Sequence, residues 1–125
     1  MKILIIDDSL LDRKLLMKCI SSAGIASEVI QASDGEEGLR VLSQNSEDVG
    51  LILLDWQMPK MSGIDFMKEA IKNPEFRKIP IIMITASAAE DSKKLAREAN
   101  PDLAGYVIKP YKAERLIEMI RLWVK

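Results

Sequence analysis

Leu51-Ile52-Leu53-Leu54-Asp55 is the stretch that decides the predicted fold, and Trp56-Gln57-Met58-Pro59 follows it at once. Four bulky apolar residues in a row are typical of a strand that is buried on both faces, as in a parallel sheet. This strand ends in a carboxylate, and an ionised Asp at the mouth of an apolar strand is costly unless it has partners. Asp55 is therefore the first candidate for a functional residue.

Other apolar runs of the same kind lie before and after this one. Several of them end in a polar or charged residue, as the stretch at Asp55 does. Strands are predicted at residues 3–6, 29–30, 51–55, 79–84 and 106–108.

Five helices are predicted between and after these strands. The first carries Leu11, Leu15 and Cys19 at helical spacing and stops at Gly24. The second begins at a capping box, in which Ser33 accepts a hydrogen bond from the backbone while Glu36 reaches back. The other three are predicted at about residues 64–71, 88–99 and 116–123.

Strands that alternate with helices predict a single α/β domain over residues 1–125, with a parallel sheet wrapped on both faces. In such open sheets ligands bind outside the carboxyl ends of the strands. The chemistry-bearing residues at those ends are Asp7, Asp8, Asp55, Thr85 and Lys109.

Composition excludes several classes of function. The 18 Lys and Arg against 19 Asp and Glu give a net charge of -1, with no electrostatic footprint for nucleic acid or an anionic membrane. The absence of His excludes a Ser-His-Asp triad and His-ligated zinc. Cys19 is the only cysteine and no signal peptide is evident, so the sequence predicts a cytoplasmic protein without disulfides.

The acidic residues at the strand ends predict a cation. Two carboxylates about 4 Å apart repel by roughly 4 kcal/mol at an effective dielectric constant of 20. Oxygen ligands favour a hard divalent ion, and Mg²⁺ is the ion we expect. A lysine and a hydroxyl beside them suit a phosphoryl group, and Asp55 can then act as the nucleophile that forms an acyl phosphate.

These motifs together resemble the receiver domain of bacterial two-component response regulators, over the whole chain. The residues that carry the resemblance are Asp7-Asp8, Asp55 with Met58-Pro59 and Gly63, Thr85-Ala86, and Lys109-Pro110. The resemblance implies a flavodoxin-like doubly wound sheet with strand order 2-1-3-4-5.

The resemblance also implies the chemistry of the site. Asp55 would accept a phosphoryl group from a phosphohistidine on a sensor histidine kinase or a phosphotransfer protein. Asp8, Asp55 and the backbone carbonyl of Gln57 would ligate Mg²⁺, with Asp7 acting through water. Lys109 would pair with the phosphoryl oxygens, and the Lys109-Pro110 peptide bond would be cis.

A conformational switch is the next expectation from the family. Thr85 would move toward the phosphoryl group and let Tyr106 rotate inward, which would reshape the face made by the fourth helix, the fifth strand and the fifth helix. Gln57 and Ser87 would tune the attack of water on the acyl phosphate. Trp56 adjoins the nucleophile, and packing at the rim of the core explains it equally well.

Each of these residues also has a purely structural explanation. Asp8 or Ser9 can cap the first helix, and Thr85 can cap a later one. Lys109 can be a solvated loop lysine, and Tyr106 an ordinary strand aromatic. Their joint placement at four strand ends favours the functional interpretation.

Three other functions compete with the receiver. An aspartyl-phosphate phosphatase of the haloacid-dehalogenase type needs a second Asp two residues after the nucleophile, where Gln57 stands, and it needs a cap domain. A flavin or nucleotide carrier needs a glycine-rich loop where Asp7-Asp8 would repel an anion. A receiver-like adaptor that binds partners without phosphorylation would not need the acidic set.

The last helix carries more apolar surface than one buried stripe requires. A wide core face and a surface for a partner or for self-association both explain it, so a monomer or a weak phosphorylation-dependent dimer is expected. No output module follows this helix in the sequence, which predicts signalling through contact with a downstream protein. The apolar residues are Leu116, Ile117, Met119, Ile120, Leu122, Trp123 and Val124.

Overall fold

The computed structural model describes residues 1–124 and places five parallel strands in one sheet. The strands are β1 (Lys2–Ile6), β2 (Glu28–Ala32), β3 (Val49–Asp55), β4 (Ile81–Thr85) and β5 (Gly105–Ile108). Their order in the sheet, β2-β1-β3-β4-β5, confirms the predicted doubly wound topology.

Six helices lie among the described residues, so the prediction of five was wrong. They are α1 (Leu10–Ser22), α2 (Gly35–Asn45), α3 (Gly63–Ala70), α4 (Pro74–Arg77), α5 (Glu90–Ala99) and α6 (Ala113–Arg121). The unexpected helix is α4, a single turn that starts because Asn73 Oδ1 accepts from the Glu75 amide at 2.9 Å and Pro74 suits a first helical position. The predicted fourth and fifth helices are therefore α5 and α6.

None of the helices within residues 1–124 has the length and apolar character needed to cross a bilayer.

The central strand β3 is buried on both faces, as its sequence predicts. Residues 51–54 are at most 1% exposed. Leu51 and Leu53 pack in the core layer that contains residues of α1 and α6. Ile52 and Leu54 face the opposite layer, with residues of α2, α3 and α5. Burial on both faces rigidly fixes the strand end that carries Asp55.

The capping box of α2 lies one residue later than predicted. Asp34, not Ser33, is the N-cap, and its Oδ1 accepts from the Glu37 amide at 2.8 Å. Glu37 Oε1 in turn accepts from the Ser33 amide at 2.8 Å. The sequence fits both registers, and the structure uses the one that begins the helix at Gly35, where a Cβ would collide with Met61.

Candidate functional site

Four strand ends meet at one edge of the sheet and bring the predicted residues together. Asp7 directly follows β1, Asp55 ends β3 and Thr85 ends β4. Lys109 directly follows β5, and its backbone amide donates to the Thr85 carbonyl at 2.8 Å. Parallel strands share this polarity, which is why residues so far apart in sequence form one site.

Three carboxylates form a cluster at this edge. One oxygen from each of Asp7, Asp8 and Asp55 lies within 4.8 Å of the others. Asp7 is 2% exposed and the Asp55 side chain 11%, whereas Asp8 faces solvent. Oxygen donors at this separation, with one open side, suit a hard divalent cation that keeps some of its water.

Local hydrogen bonds orient the two less exposed carboxylates. Asp7 Oδ1 accepts from the Ser9 amide, and Asp55 Oδ1 accepts from the Trp56 amide, both at 2.9 Å. Arg13 donates to the backbone carbonyl of Asp7. The side chain of Ser9 itself caps α1 by accepting from the Asp12 amide at 3.1 Å, so Ser9 and not Asp8 is the N-cap.

The surroundings of Asp55 disfavour the ionised form of its side chain. Burial and the neighbouring charge of Asp7 raise its pKa to about 6, against the opposing effects of Lys109 and the Trp56 amide. Burial also raises the pKa of Asp7. A cation among these oxygens would offset the repulsion and hold both groups ionised.

Lys109 is the positive group of the site. Its Nζ lies 3.0 Å from Asp12 Oδ2, 3.3 Å from Asp7 Oδ2 and 3.6 Å from Asp55 Oδ1. Burial alone would lower the pKa of Lys109, but the three carboxylates outweigh burial and raise it. Lys109 is therefore a partner of the acidic residues and not a solvated loop lysine. Its peptide bond to Pro110 is cis, as expected.

Asp12 is the residue that sequence reasoning missed. It lies in the first turn of α1, three residues after Ser9 and five after Asp7. An Asp at this helix position is usually explained by the helix dipole alone. The available signal was geometric, because the first turn of a helix that follows a strand lies over the carboxyl edge of the sheet.

Thr85 is 3% exposed and does not cap a helix. Its Oγ1 accepts from the Ser87 amide at 3.3 Å, whereas α5 begins at Glu90 after Ala89. The helix-cap explanation of Thr85 is therefore wrong.

Tyr106 lies on β5 and reaches the loop between β4 and α5. Its hydroxyl donates to the Ser87 carbonyl at 2.8 Å, while its side chain packs against the core layer beneath α5. Burial raises the pKa of Tyr106. The Ser87 residue thus touches both predicted switch residues.

The loop after β3 is held close to the nucleophile candidate. The Gly63 amide donates to the Trp56 carbonyl at 2.8 Å, and a Cβ at Gly63 would collide with the backbone oxygen of Asp55. Trp56 packs partly against the core, and Gln57 is exposed. Glycine at position 63 is thus required by a close backbone approach.

Comparison with known protein families identifies the family of this chain. The family model described as "Response regulator receiver domain" matches residues 3–121. The chain belongs to the receiver-domain family of response regulators.

Relatives of this receiver domain include chemotaxis proteins. Chemotaxis protein CheY1 of Helicobacter pylori is 32% identical over 122 residues, which cover 98% of this chain and 95% of that protein. Chemotaxis protein CheY of Pseudomonas aeruginosa is 32% identical over 120 residues, 96% of this chain and 93% of that protein. The sensor histidine kinase CheAY of H. pylori is 32% identical over 123 residues, which span only 15% of that protein.

Solved structures show the same fold. Chemotaxis protein CheY4 of Vibrio cholerae superimposes on this receiver domain with a TM-score of 0.86 and 26% identity, over 98% of each chain. The phosphorylated cyanobacterial phytochrome response regulator RcpA gives a TM-score of 0.81 at 25% identity, over 96% of this chain and 88% of that one.

Proposed function

We propose that this receiver domain is a phosphoryl-accepting switch of a two-component system and that Asp55 is the acceptor. One observation carries the proposal: the Asp55 carboxylate belongs to the acidic cluster and also lies 3.6 Å from the ammonium group of Lys109. An anionic nucleophile beside both a cation site and a lysine suits a phosphoryl group. The donor is a phosphohistidine of a sensor histidine kinase or a phosphotransfer protein.

In the proposed reaction a carboxylate oxygen of Asp55 attacks the phosphorus atom of the phosphohistidine. The new O–P bond forms as the P–N bond breaks, and the released imidazole takes up a proton from solvent. The product is an acyl phosphate. Lys109 and the hydroxyl of Thr85 stabilise the negative charge of the transferred group. The signal is the occupancy of Asp55. The protein catalyses only its own phosphorylation and dephosphorylation and is not a turnover enzyme.

The acidic cluster fits the Mg²⁺ that this chemistry requires. Asp8, Asp55 and the backbone carbonyl of Gln57 would hold the ion, with Asp7 bound mainly through water. When bound, the cation would supply positive charge that offsets the charge of the phosphoryl oxygens.

The proposed output is a change in the face formed by α5, β5 and α6. Movement of Thr85 toward the phosphoryl group would displace Ser87, whose carbonyl accepts from Tyr106. Tyr106 would then rotate inward and change the surface offered to a downstream protein. Gln57 and Ser87 are proposed to tune the access of water to the acyl phosphate.

The proposal is tested by incubating the protein with Mg²⁺ and acetyl phosphate or a phosphorylated kinase. We expect a hydroxylamine-sensitive label on the wild type, none on Asp55→Asn, and none in excess EDTA. The matched control is Asp65→Asn, which changes an exposed Asp in the first turn of α3 and should be labelled like the wild type. A folded wild type that takes up no label would overturn the proposal.

A further inference from the structure

Asp12 and Lys109 form the shortest ion pair at the site. Lys109 Nζ is 3.0 Å from Asp12 Oδ2, compared with 3.6 Å from Asp55 Oδ1. Asp12 is not one of the three carboxylates of the acidic cluster. In the absence of a phosphoryl group, the lysine is thus held most closely by a carboxylate outside the cluster.

The position of Asp12 is fixed by α1. Its backbone amide donates to Ser9 Oγ at 3.1 Å, which anchors the first turn of the helix. The neighbouring Arg13 is engaged elsewhere, with the Asp7 carbonyl and with Gln31 Oε1 at 3.0 Å. Within residues 1–124, Lys109 is the only cationic side chain that forms an ion pair with Asp12.

We propose that Asp12 is a positioning residue that holds Lys109 in the unphosphorylated protein and competes with the phosphoryl group for it. The inference rests on the proposed function, because it requires a phosphoryl group at Asp55. On phosphorylation, the lysine ammonium would exchange the Asp12 oxygen for a phosphoryl oxygen. Asp12 is then one determinant of how far the equilibrium lies toward the acyl phosphate.

This arrangement gives Asp12 two opposite effects. By sharing Lys109 with Asp7 and Asp55, Asp12 weakens the hold of the lysine on their oxygens and so favours Mg²⁺ binding before phosphorylation. By retaining the same lysine afterwards, it weakens the contact between Lys109 and the phosphoryl group. Loss of the Asp12 charge should therefore weaken Mg²⁺ binding by the unphosphorylated protein and strengthen the contact of Lys109 with the phosphoryl group.

The test is Asp12→Asn, which keeps the shape of the side chain and removes its charge. We expect the fraction phosphorylated at saturating Mg²⁺ and subsaturating acetyl phosphate to rise, and the Mg²⁺ affinity of the unphosphorylated protein to fall, each by about two- to fivefold, as for a partly exposed ion pair. Asp12→Glu should restore both values toward the wild type. Opposite changes in two equilibria distinguish this role from general damage to the fold, which would weaken both.

The matched control is Asp65→Asn. Asp65 is the third residue after the N-cap Ser62 of α3, and its amide donates to Ser62 Oγ at 3.2 Å, as the Asp12 amide does to Ser9. If the wild type is labelled but Asp12→Asn behaves like Asp65→Asn, or if both equilibria weaken, the role of Asp12 is refuted while the proposed function stands. If the wild type takes no label, the proposed function fails and this inference fails with it.

Discussion

The hydroxyl of Tyr106 donates a hydrogen bond to the backbone carbonyl of Ser87, at 2.8 Å. The amide of the same Ser87 donates to Thr85 Oγ1 at 3.3 Å. Ser87 is therefore held by two side chains, that of Tyr106 on β5 and that of Thr85 at the end of β4. These two hydrogen bonds connect the end of β4 to Tyr106 through Ser87.

Replacing Tyr106 with Phe should remove this link and little else. We expect Tyr106→Phe to lower the free energy of unfolding in urea by about 0.5–1.5 kcal/mol, the usual net value of one hydrogen bond. The backbone amide resonances of Ser87 and its neighbours should shift in a ¹⁵N–¹H NMR spectrum. Tyr111→Phe is the control, because the Tyr111 hydroxyl makes no hydrogen bond to any of the described residues. Equal effects of the two substitutions would contradict the prediction.

Asp55 should make the stability of the metal-free protein depend on pH. Its pKa is about 6 in the folded protein, compared with an ordinary value of 3.8, so the folded state binds the proton more tightly than the unfolded state. The resulting stabilisation is complete below about pH 4 and is lost as the pH rises through 6. In EDTA, Asp55→Asn should therefore be more stable than the wild type at pH 7, by about 1–2 kcal/mol after solvent screening.

The measurement is urea unfolding of both proteins in EDTA from pH 4 to pH 7.5. The advantage of Asp55→Asn should shrink steadily toward pH 4, where the wild-type carboxyl is already neutral. Asp65→Asn, at an exposed position, should follow the wild type throughout. An advantage that is constant with pH would show that lost charge at Asp55 is not the cause.

Binding of Mg²⁺ should be visible in the fluorescence of Trp56. Its amide donates to Asp55 Oδ1 at 2.9 Å, so a cation at the acidic cluster changes the electrostatic field at the indole. The second tryptophan, Trp123, lines a cavity with Met1 and Ser27 at the opposite edge of the sheet. We expect Trp123→Phe to keep a saturable response to Mg²⁺ and Trp56→Phe to lose it.

The same titration tests the exposed member of the cluster. Asp8→Asn should raise the Mg²⁺ concentration at half-saturation by about tenfold or more. Even the loss of a residue that only hydrogen-bonds to a metal ligand commonly lowers metal affinity by about tenfold. Asp91→Asn, which changes an exposed acid in the first turn of α5, is the charge control. A response of Asp8→Asn at wild-type Mg²⁺ concentrations would exclude Asp8 as a ligand.

The strand ends could be predicted from the sequence because burial on both faces leaves a strong local signal. The run at residues 51–54 fixes β3, and the parallel polarity of the sheet then places Asp7, Asp55, Thr85 and Lys109 at one edge. The strand order came from the resemblance to a family and not from the periodicity. Local sequence patterns predict the individual strands and helices, whereas the order of the strands in the sheet requires further information.

Two features of the structure, the N-cap of α2 and the ion pair of Asp12, were not predicted from the sequence, for physical reasons. Ser33 and Asp34 both satisfy the pattern of a capping box, so the local sequence alone does not choose between them. The ion pair of Asp12 joins residues 97 positions apart. A first-turn Asp has a sufficient local explanation, and the signal available for Asp12 was its position in the first turn after β1, over the carboxyl edge of the sheet.

The backbone at the end of β3 leaves no room for a side chain at Gly63. A Cβ at Gly63 would overlap the backbone oxygen of Asp55 and press on Trp56 Cα, and neither backbone atom can move without moving the end of β3. Gly63→Ala should therefore lower the free energy of unfolding by about 1–3 kcal/mol, as overpacking does, and should reduce labelling of Asp55.

Gly50→Ala is the matched control on the same strand. A Cβ at Gly50 meets the Sδ and Cε atoms of Met1, the far end of a flexible side chain that can move aside. Urea unfolding should show a change below about 1 kcal/mol for this variant, with labelling of Asp55 unaffected. If Gly63→Ala unfolds and is labelled like Gly50→Ala, the close approach of α3 to the acceptor strand is not what holds Asp55 in place.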